Sequence, residues 1–524
     1  MPRIIFYWIS ITALAAVAGL YWVWPPVLFL LLLVVPYIGI GIYDIRSRHN
    51  VLGNYPVIGH LRYFFEFIAP ELRQYFVESN QSGRPFNREQ RELIYSRAKG
   101  ATDTQPFGTQ QDITNNGYEF AYHAIAAKTP DERVKRTQVG GPDCTRPYQA
   151  SRLNISAMSF GALSANAIMA MNRGARLGGF AHNTGEGGLS PHHLKYGGDI
   201  IWQIGTGYFG CRTDDGGFDA DSFRRKATGE TVKMIEIKIS QGAKPSHGGV
   251  LPGAKVNAEI ARARGVAQGE TCVSPPTHRE FDSPEGLLRF VVRLRELCGG
   301  KPVGFKLCIG KRSEFMGICK AMLKTGITPD FITVDGAEGG TGAAPVEFTD
   351  RLGTPINEAL VFVHSCLRGI GLRDQVRVIA SGKVASGFDM VTKLALGADM
   401  CNVARPMMFS VGCIQALRCD RNTCPTGVAT QDVRRTRALK VEDKYQRPRN
   451  LHHAMVESFV DLLGAMGLER PEQLGPDLIY HRVTDGPAQP YSQIYPYLAD
   501  GELLGERIHP AYGDAWTGAS AERF

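Results

Sequence analysis

From Ser151 onward, short β-branched runs alternate with longer segments of helical spacing, and this alternation limits the possible folds most narrowly. Repeated strand–helix units predict a parallel sheet with right-handed crossovers. Several predicted strands end in small or polar residues, which in a (β/α)8 barrel lie on the face that builds the site. A doubly wound sheet fits the same alternation. The predicted strands are Leu153–Ala157, Met234–Ser240, Val303–Ile309, Phe331–Asp335, Val376–Ser381 and Cys401–Ala404, and the predicted helices are Ala165–Leu177, Pro284–Leu297, Glu314–Lys324, Pro355–Arg368 and Phe388–Leu396.

Two uncharged apolar segments, Phe6–Trp24 and Val27–Tyr43, precede this region and are separated by two prolines. Each is near the ~20 residues that a membrane-spanning helix needs. Arg3 precedes them, Arg46 follows them and the connecting turn has no basic residue, so the positive-inside rule predicts a hairpin with both ends in the cytoplasm. A cleaved signal peptide is the alternative, but the stretch is long and no small-x-small site follows it. We predict a transmembrane hairpin over 1–48 in the inner, cytoplasmic membrane, with the catalytic domain facing the cytoplasm.

The remaining chain divides by composition into a connecting region at 49–150, a barrel at 151–452 and a helical or irregular extension at 453–524. Within the connecting region, Leu61–Val77 has apolar residues at helical spacing around Pro70. Such a helix can lie on a membrane surface or cover the soluble domain, and we predict a covering helix. The net charge is +8 without a long Lys/Arg run, which does not indicate a nucleic-acid partner.

Three cysteines, Cys413, Cys419 and Cys424, follow the spacing C-x5-C-x4-C directly before a proline. Thiolates gathered this closely are soft ligands that suit iron–sulfur clusters or zinc. Three ligands without an obvious fourth favour a cluster over a zinc site closed by four cysteines. Three buried structural cysteines are the alternative. The total of 11 cysteines is odd, which favours free thiols in a reducing compartment over a secreted disulfide framework.

Five further motifs precede the cysteines in a fixed order. Together with the cysteines they resemble the FMN-binding synthase domain of glutamate synthases over roughly 151–452. The resemblance implies a TIM-type (β/α)8 barrel, bound FMN and a [3Fe–4S] cluster on the three cysteines. The motifs are NTGEGG at 183–188, SQGAKPSHGGVLPGAKV at 240–256, SPPTHREF at 274–281, VDGAEGGTGAAP at 334–345 and ASGKVASG at 380–387.

The resemblance also implies which residues hold FMN. Glycine-rich turns at strand ends bring backbone N–H groups close to a phosphate. Lys306 is a lone charge inside an apolar run and therefore needs a partner, which the resemblance implies is the flavin ring and which is otherwise a carboxylate. The expected FMN-binding residues are Ala157, Met158, Ser159, Lys306, Gly339, Gly340, Thr341, Gly342, Ser381, Gly382, Lys383, Gly387, Ala404 and Arg405.

One glycine pattern, Gly205-x-Gly207-x-x-Gly210, has the spacing of a dinucleotide-binding loop. A lone GxGxxG is a weak signal, and neither a helical pattern nor an acidic partner follows it. The resemblance implies a turn near the flavin site without a nicotinamide. We therefore predict no dinucleotide site here.

For the substrate, the resemblance implies addition of ammonia to the keto carbon of 2-oxoglutarate and reduction of the imine. Glu186 and Lys244 are the expected catalytic residues, and Lys244 and Arg264 are expected to bind the keto acid. Arg262 is a nearby alternative, although helix-surface arginines are common. Glutamate synthases carry a glutamine where this chain has Val250. A valine cannot donate a hydrogen bond, so the keto-acid specificity is expected to differ.

The motifs of the glutaminase domain and of ferredoxin-like C-x2-C-x2-C clusters do not occur in this sequence. We therefore expect ammonia or an amine to arrive free or from a separate amidotransferase subunit. Electrons are expected from ferredoxin or a reductase. Two other functions fit the same residues: an FMN-dependent oxidase or dehydrogenase of a hydroxy or amino acid, and a non-catalytic, membrane-tethered electron carrier.

Overall fold

The described residues, 1–484 and 486–524 of a computed structural model, form two units, Met1–Arg88 and Glu89–Phe524. In the second unit eight parallel strands close into a barrel in chain order, with the last strand paired to the first. This confirms the predicted TIM-type barrel over the doubly wound sheet. The strands are β1 (Leu153–Ile155), β2 (His182–Asn183), β3 (Ile200–Ile204), β4 (Val232–Lys238), β5 (Val303–Leu307), β6 (Phe331–Asp335), β7 (Arg377–Ser381) and β8 (Met400–Val403).

Six of these strands coincide with predicted strands, whereas β2 and β3 have no predicted counterpart. β2 has only two residues, which is too short to show any periodicity. The apolar run of β3 is immediately followed by the glycines of the Gly205–Gly210 loop. A strand therefore does precede this glycine pattern. Between the pattern and β4, where all residues are described, the one helix is the short Ala220–Ala227.

The five predicted barrel helices are present: Pro284–Leu297 has the predicted ends, and the other four are shifted by one or two residues. Serine side chains cap three of them: Ser164, Ser283 and Ser386 each accept a hydrogen bond from a backbone N–H of the first turn. The long helix Gln446–Ala465 crosses the predicted domain boundary at residue 452. The helices of this unit are Arg88–Lys99, Ala165–Gly178, Pro191–Leu194, Ala220–Ala227, Ala258–Arg264, Pro284–Leu297, Arg312–Thr325, Val346–Arg351, Ile356–Gly369, Gly387–Ala395, Arg405–Ser410, Val433–Thr436, Val441–Lys444, Gln446–Ala465, Tyr491–Ile494 and Pro510–Thr517.

The barrel interior changes from apolar to charged along the strands. At the amino-terminal end an apolar cluster includes Ile201, Met234, Phe331, Ile379 and Met400, and the hairpin Arg136–Val139/Tyr148–Ser151 contributes Val139 and Ala150 to it. Two residues further along β4, β6 and β3, the same inward face carries Glu236, Thr333 and Gln203. Two residues beyond these, β4 ends in Lys238 and β6 in Asp335. The barrel is therefore sealed at one end and polar at the other, where active sites of this fold lie.

The first unit is mainly helical and apolar. Its elements are Pro2–Tyr21, Pro25–Leu30, Leu31–Arg46, Asn50–Asn54, Gly59–Leu72 and Arg73–Val77. Pro2–Tyr21 and Pro25–Arg46 have mean hydropathies of 1.9 and 2.3, with 17% and 11% of their most apolar windows buried. By length and composition both can cross a membrane. The helix Gly59–Leu72 belongs to this unit, and Phe64 and Phe65 on it are more than half exposed, at 54% and 55%. The covering role of this helix stays a prediction.

Candidate active site

An ion pair between Glu186 and Lys238 lies at the carboxyl end of the barrel. Lys238 Nζ is 3.0 Å from Glu186 Oε1, with side chains only 8% and 17% exposed. Two glycines make room for the carboxylate. A Cβ at Gly249 would lie 2.2 Å from Glu186 Oε1, and one at Gly205 would lie 2.7 Å from Glu186 Cβ. The pattern Gly205-x-Gly207-x-x-Gly210 therefore lets β3 approach Glu186, in agreement with the expectation that it is a turn.

The surrounding cations keep Glu186 ionised. Burial alone would raise the pKa of this carboxyl, but the charges of Lys238, Arg264 and Lys244 outweigh burial and lower it. Burial lowers the pKa of Lys238; the Glu186 charge opposes this and Lys306 reinforces it. A carboxylate that stays ionised beside several cations can accept a proton or orient a positively charged nitrogen.

The positive charges of Lys244 and Arg264 both act on this carboxylate. Lys244 is buried, donates from Nζ to Gly248 O at 2.8 Å, and has a pKa that burial lowers to about 8. Arg264 is also buried and donates from Nη2 to Phe160 O at 3.3 Å. Its Nε has no hydrogen-bond partner among the described residues. Two residues away on the same helix, Arg262 is exposed. The structure thus brings Glu186, Lys244 and Arg264 together and leaves Arg262 at the surface.

Two charged site residues were missed by sequence reasoning, Lys238 and Asp335. Lys238 lies beside Lys306 in the β4–β5 register, and Asp335 Oδ2 is 3.9 Å from Lys306 Nζ. Asp335 also accepts hydrogen bonds from the Gly242 N–H at 2.9 Å and the Ser381 hydroxyl at 2.7 Å. Lys238 ends the run VKMIEIK, which also contains Lys233 and Glu236, so the lone-charge signal that identified Lys306 does not single it out. Lys306 thus has a carboxylate neighbour, but the 3.9 Å separation is longer than a hydrogen bond.

A hydrogen-bonded network around Glu236 lies on the amino-terminal side of the Glu186–Lys238 pair. Glu236 is fully buried and accepts from Asn183 Nδ2 at 2.8 Å, Gln203 Nε2 at 2.6 Å and Thr333 Oγ1 at 2.7 Å, so it joins four strands. Asn183 Oδ1 in turn accepts from the Gly185 N–H at 3.0 Å. Gly185 has φ +63°, a conformation that favours glycine. Glu236 therefore fixes the turn that carries Glu186.

The expected FMN-binding residues lie at the carboxyl ends of β1, β5, β6, β7 and β8, at the same edge as Glu186. Lys306 is inside β5 and Ser381 ends β7, whereas the others follow their strands. The Gly339–Gly342 loop packs closely against neighbouring segments. A Cβ at Gly339 would lie 2.9 Å from Ala243 N, and one at Gly340 would lie 3.3 Å from Arg405 Nη1. Arg405 donates to Glu338 O at 2.6 Å and so holds this loop. Buried cations beside glycine turns fit a phosphorylated cofactor with an anionic reduced form.

The three cysteines of the 413–424 segment are free thiols; Cys424 is buried and the other two are half-buried. Burial raises the pKa of Cys413 to about 12 and, together with Cys424, raises that of Cys419. Burial would also raise the pKa of Cys424, but the Thr426 hydroxyl and the backbone N–H groups of Ala429, Thr426 and Val428 lower it overall. N–H groups directed at a sulfur are typical of iron–sulfur sites.

No group of three or more His, Cys, Asp or Glu side chains could hold a metal ion within residues 1–484 and 486–524. A single ion requires its ligands to converge on one point, whereas cluster thiolates bind different irons. The arrangement of the described residues therefore shows no metal centre at the three cysteines, and their role as ligands stays a prediction.

A buried lysine and a glycine tie the cysteine segment to the barrel. Lys255 Nζ donates to Cys419 O at 2.6 Å, Ala429 O at 3.0 Å and Ala162 O at 3.3 Å. A Cβ at Gly342 would lie 3.0 Å from Cys419 O. The segment is therefore in contact with the same glycine loop that contacts Arg405.

Comparison with known proteins covers this whole region. The profile of a conserved region in glutamate synthase matches residues 130–469. The glutamate synthase large subunit-like protein YerD of Bacillus subtilis (strain 168) is 40% identical over 482 residues, 84% of this chain and 91% of that protein. The archaeal-type glutamate synthase (NADPH) of Thermotoga neapolitana is 35% identical over 320 residues, 61% and 60% of the two chains. The chloroplastic ferredoxin-dependent glutamate synthase 2 of Arabidopsis thaliana is 30% identical over 396 residues, 71% of this chain and 23% of that protein.

Proposed function

Because the chain belongs to the glutamate synthase family of oxidoreductases acting on CH–NH2 groups, we propose that it reductively aminates 2-oxoglutarate or a related keto acid. The observation that carries this proposal is the buried Glu186–Lys238 pair with Lys244 and Arg264 beside it. A 2-oxo dicarboxylate brings two negative charges, which an electropositive, buried site binds strongly. Ammonium brings a positive charge, which the ionised Glu186 attracts.

Each of these side chains has a separate role in the proposed reaction. Lys244 and Arg264 bind the carboxylates of the keto acid, and the unpartnered Arg264 Nε offers a further donor. Glu186 accepts a proton from the incoming ammonium, so that the free amine attacks the keto carbon. Lys238 holds Glu186 Oε1 at 3.0 Å and leaves Oε2 to face the amine. Positioning of this kind contributes by general base catalysis and orientation.

The residues at the barrel edge fit FMN, and the cysteine segment fits a [3Fe–4S] cluster. Lys306, Arg405, the Gly339–Gly342 loop and the turn after β7 would hold FMN, and Cys413, Cys419 and Cys424 would hold the cluster. When bound, FMN supplies the hydride that reduces the imine and the cluster supplies single electrons. The contact of Gly342 with Cys419 supports this assignment, because it puts the two groups of residues side by side.

The remaining parts of the proposal concern partners and location. We infer that the two apolar helices cross the cytoplasmic membrane and that the barrel faces the cytoplasm. Ammonia or an amine comes from solution or from a separate amidotransferase subunit. The electron donor is ferredoxin or a reductase, and the names of the relatives include both NADPH-dependent and ferredoxin-dependent enzymes.

The test is an anaerobic optical titration of the purified, detergent-solubilised full chain. The dithionite-reduced flavin is mixed with 2-oxoglutarate and ammonium, separately and together. We expect reoxidation only with both, together with stoichiometric glutamate. Arg264→Ala should raise the KM for the keto acid at least about tenfold by removing a buried charge–charge contact, whereas the exposed control Arg262→Ala should leave it unchanged.

A second candidate function is oxidation of a hydroxy or amino acid. Val250 favours it, because this residue lies in the short strand Val250–Leu251 of the loop that also carries Lys244 and Gly249. A valine there cannot supply the amide that the resemblance leads us to expect. Reduction of the oxidised flavin by a hydroxy or amino acid, without reoxidation by keto acid and ammonium, would establish this function instead. A flavin that responds to neither would support the non-catalytic electron carrier.

A further inference from the structure

The helix Gly59–Leu72 carries an apolar stripe that faces solvent. Leu61, Phe64, Phe65, Ile68 and Leu72 follow the spacing i, i+3, i+4, i+7 and i+11, which aligns them on one face. The exposed fractions are 54% for Leu61, 54% for Phe64, 55% for Phe65 and 38% for Leu72. A helix of a globular domain normally buries such a stripe against its core. Here the aromatic side chains remain available to another phase or molecule.

The turn that follows the helix extends the same exposed surface. Arg73–Val77 forms a π-helical turn, in which Tyr75, Phe76 and Val77 are 50%, 82% and 76% exposed. Charged residues border the stripe: Arg62 pairs with Glu66 at 2.8 Å, and Arg73 pairs with Glu78 at 3.3 Å. An exposed aromatic face with flanking arginines is typical of helices that lie in a membrane interface.

Hydrogen bonds fix where this helix begins relative to the apolar hairpin. Asp44, in the last turn of Leu31–Arg46, is fully buried and accepts from Val57 N at 2.8 Å and from His60 Nε2 at 2.9 Å. Arg3, in the first turn of Pro2–Tyr21 and so at the same open end of the hairpin, donates from Nε to Gly53 O at 2.5 Å. The start of the helix is thus tied to the end of the hairpin where its charged residues lie. In a hairpin that crosses a bilayer, this is the level of the headgroups.

We propose that Gly59–Val77, the aromatic segment, lies in the interface of the bilayer that the hairpin crosses, with its stripe at the boundary between headgroups and acyl chains. This proposal rests on the membrane hairpin of the proposed function. The occupant of the stripe is phospholipid, because the hydrogen bonds that Asp44 accepts and the one that Arg3 donates put the start of the helix at the membrane level. Tyr75 and Phe76 add the aromatic contacts that interfaces favour. The aromatic segment would set the height of the protein at the membrane surface.

The experiment uses the full chain in phosphatidylcholine liposomes that contain a lipid-borne diazirine. After irradiation, labelled peptides are identified by mass spectrometry. We expect labels in both hairpin helices and in the aromatic segment. Val433 and Leu177 serve as internal controls, because they are exposed apolar residues of the barrel unit, at 77% and 54%, and should remain unlabelled. A labelled hairpin with an unlabelled aromatic segment would overturn this inference alone, and an unlabelled hairpin would overturn the membrane reading itself.

Paired substitutions sharpen the test. Phe64→Ser with Phe65→Ser should reduce labelling of the aromatic segment to the level of the controls and leave the hairpin labels unchanged. Leu177→Ser, which removes an equally exposed apolar side chain elsewhere, should change neither. If the wild-type aromatic segment is unlabelled but becomes protected from hydrogen exchange as protein concentration rises, a second copy of the chain covers the stripe and the lipid assignment is wrong.

Discussion

At the carboxyl end of the barrel, the barrel mouth, Glu186 and Lys238 neutralise each other inside the protein. In the cysteine segment (413–424), by contrast, burial raises the pKa of two of the three thiols. The mouth is therefore charged and organised by the chain itself. The cysteine segment has its backbone organised by Lys255, and the proposed metal group, when bound, would favour the thiolate form of the two thiols whose pKa is raised. The comparison indicates that substitutions should act differently in the two regions. At the barrel mouth, a substitution leaves a buried charge without its counterion. In the cysteine segment, a substitution removes a proposed metal ligand and leaves the fold intact.

The largest expected effect is in the cysteine segment. Cys424→Ser removes the thiol toward which the N–H groups are directed, so we expect complete loss of the cluster with retention of the flavin. Iron content and low-temperature electron paramagnetic resonance measure this. Cys144→Ser, a half-buried cysteine outside the segment, is the matched control and should keep full iron content. Normal iron in Cys424→Ser would show that the segment does not bind the cluster.

The second effect is at the mouth. Glu186→Gln keeps the shape but leaves Lys238 without its counterion. Turnover should fall at least about 100-fold through loss of a general base, and the free energy of unfolding should fall by about 3 kcal/mol because a buried charge is left unpaired. Steady-state assays and urea denaturation give the two values. Glu230→Gln, at an exposed glutamate, should change neither. Unchanged stability in Glu186→Gln would contradict the ion pair.

Substitution of Lys255, which ties the cysteine segment to the barrel, should have a smaller effect. Lys255→Met would leave the carbonyls of Cys419, Ala429 and Ala162 without their donor. Each unsatisfied buried acceptor costs about 1–3 kcal/mol, although relaxation and water reduce the sum. We expect faster amide exchange within 413–430 and lower stability, with the ionised state of Glu186 unaffected. Lys311→Met, at an exposed lysine, is the control. Equal exchange in the two variants would exclude the tethering role.

The smallest effect is the pH dependence of Lys244, whose pKa burial lowers to about 8. As pH rises through about 8, Lys244 loses its charge, so kcat/KM for the keto acid should fall. Stability should move in the opposite direction. The unfolded state keeps this proton up to about pH 10.4, so it binds more protons than the folded state between about 8 and 10.4, and stability rises in that window. Lys244→Met should remove both trends, and a trend that persists in this variant would belong to another group.

Much of this site could be predicted from local sequence. The cysteine spacing, the lone charge at Lys306 and the glycines after the strands all depend on neighbouring residues, and the structure places them at one edge. Lys238 did not carry the signal of Lys306, because Lys233 and Glu236 lie in the same strand. Arg262 and Arg264 could not be separated, because seven helical residues without a clear stripe do not reveal which side is buried.

The sequence by itself determined the strand–helix alternation, the spacing of the three cysteines and the apolar character of the first 46 residues, because periodicity, spacing and length are local properties. The choice of a barrel over a doubly wound sheet came from the family resemblance. Only the tertiary structure paired Glu186 with Lys238, placed Glu236 beneath them and exposed the aromatic segment. Closing the barrel brings strands that are distant in the chain into register, and it decides which charges face one another inside. Whether a helix buries its stripe likewise depends on what packs against it, which no local pattern contains.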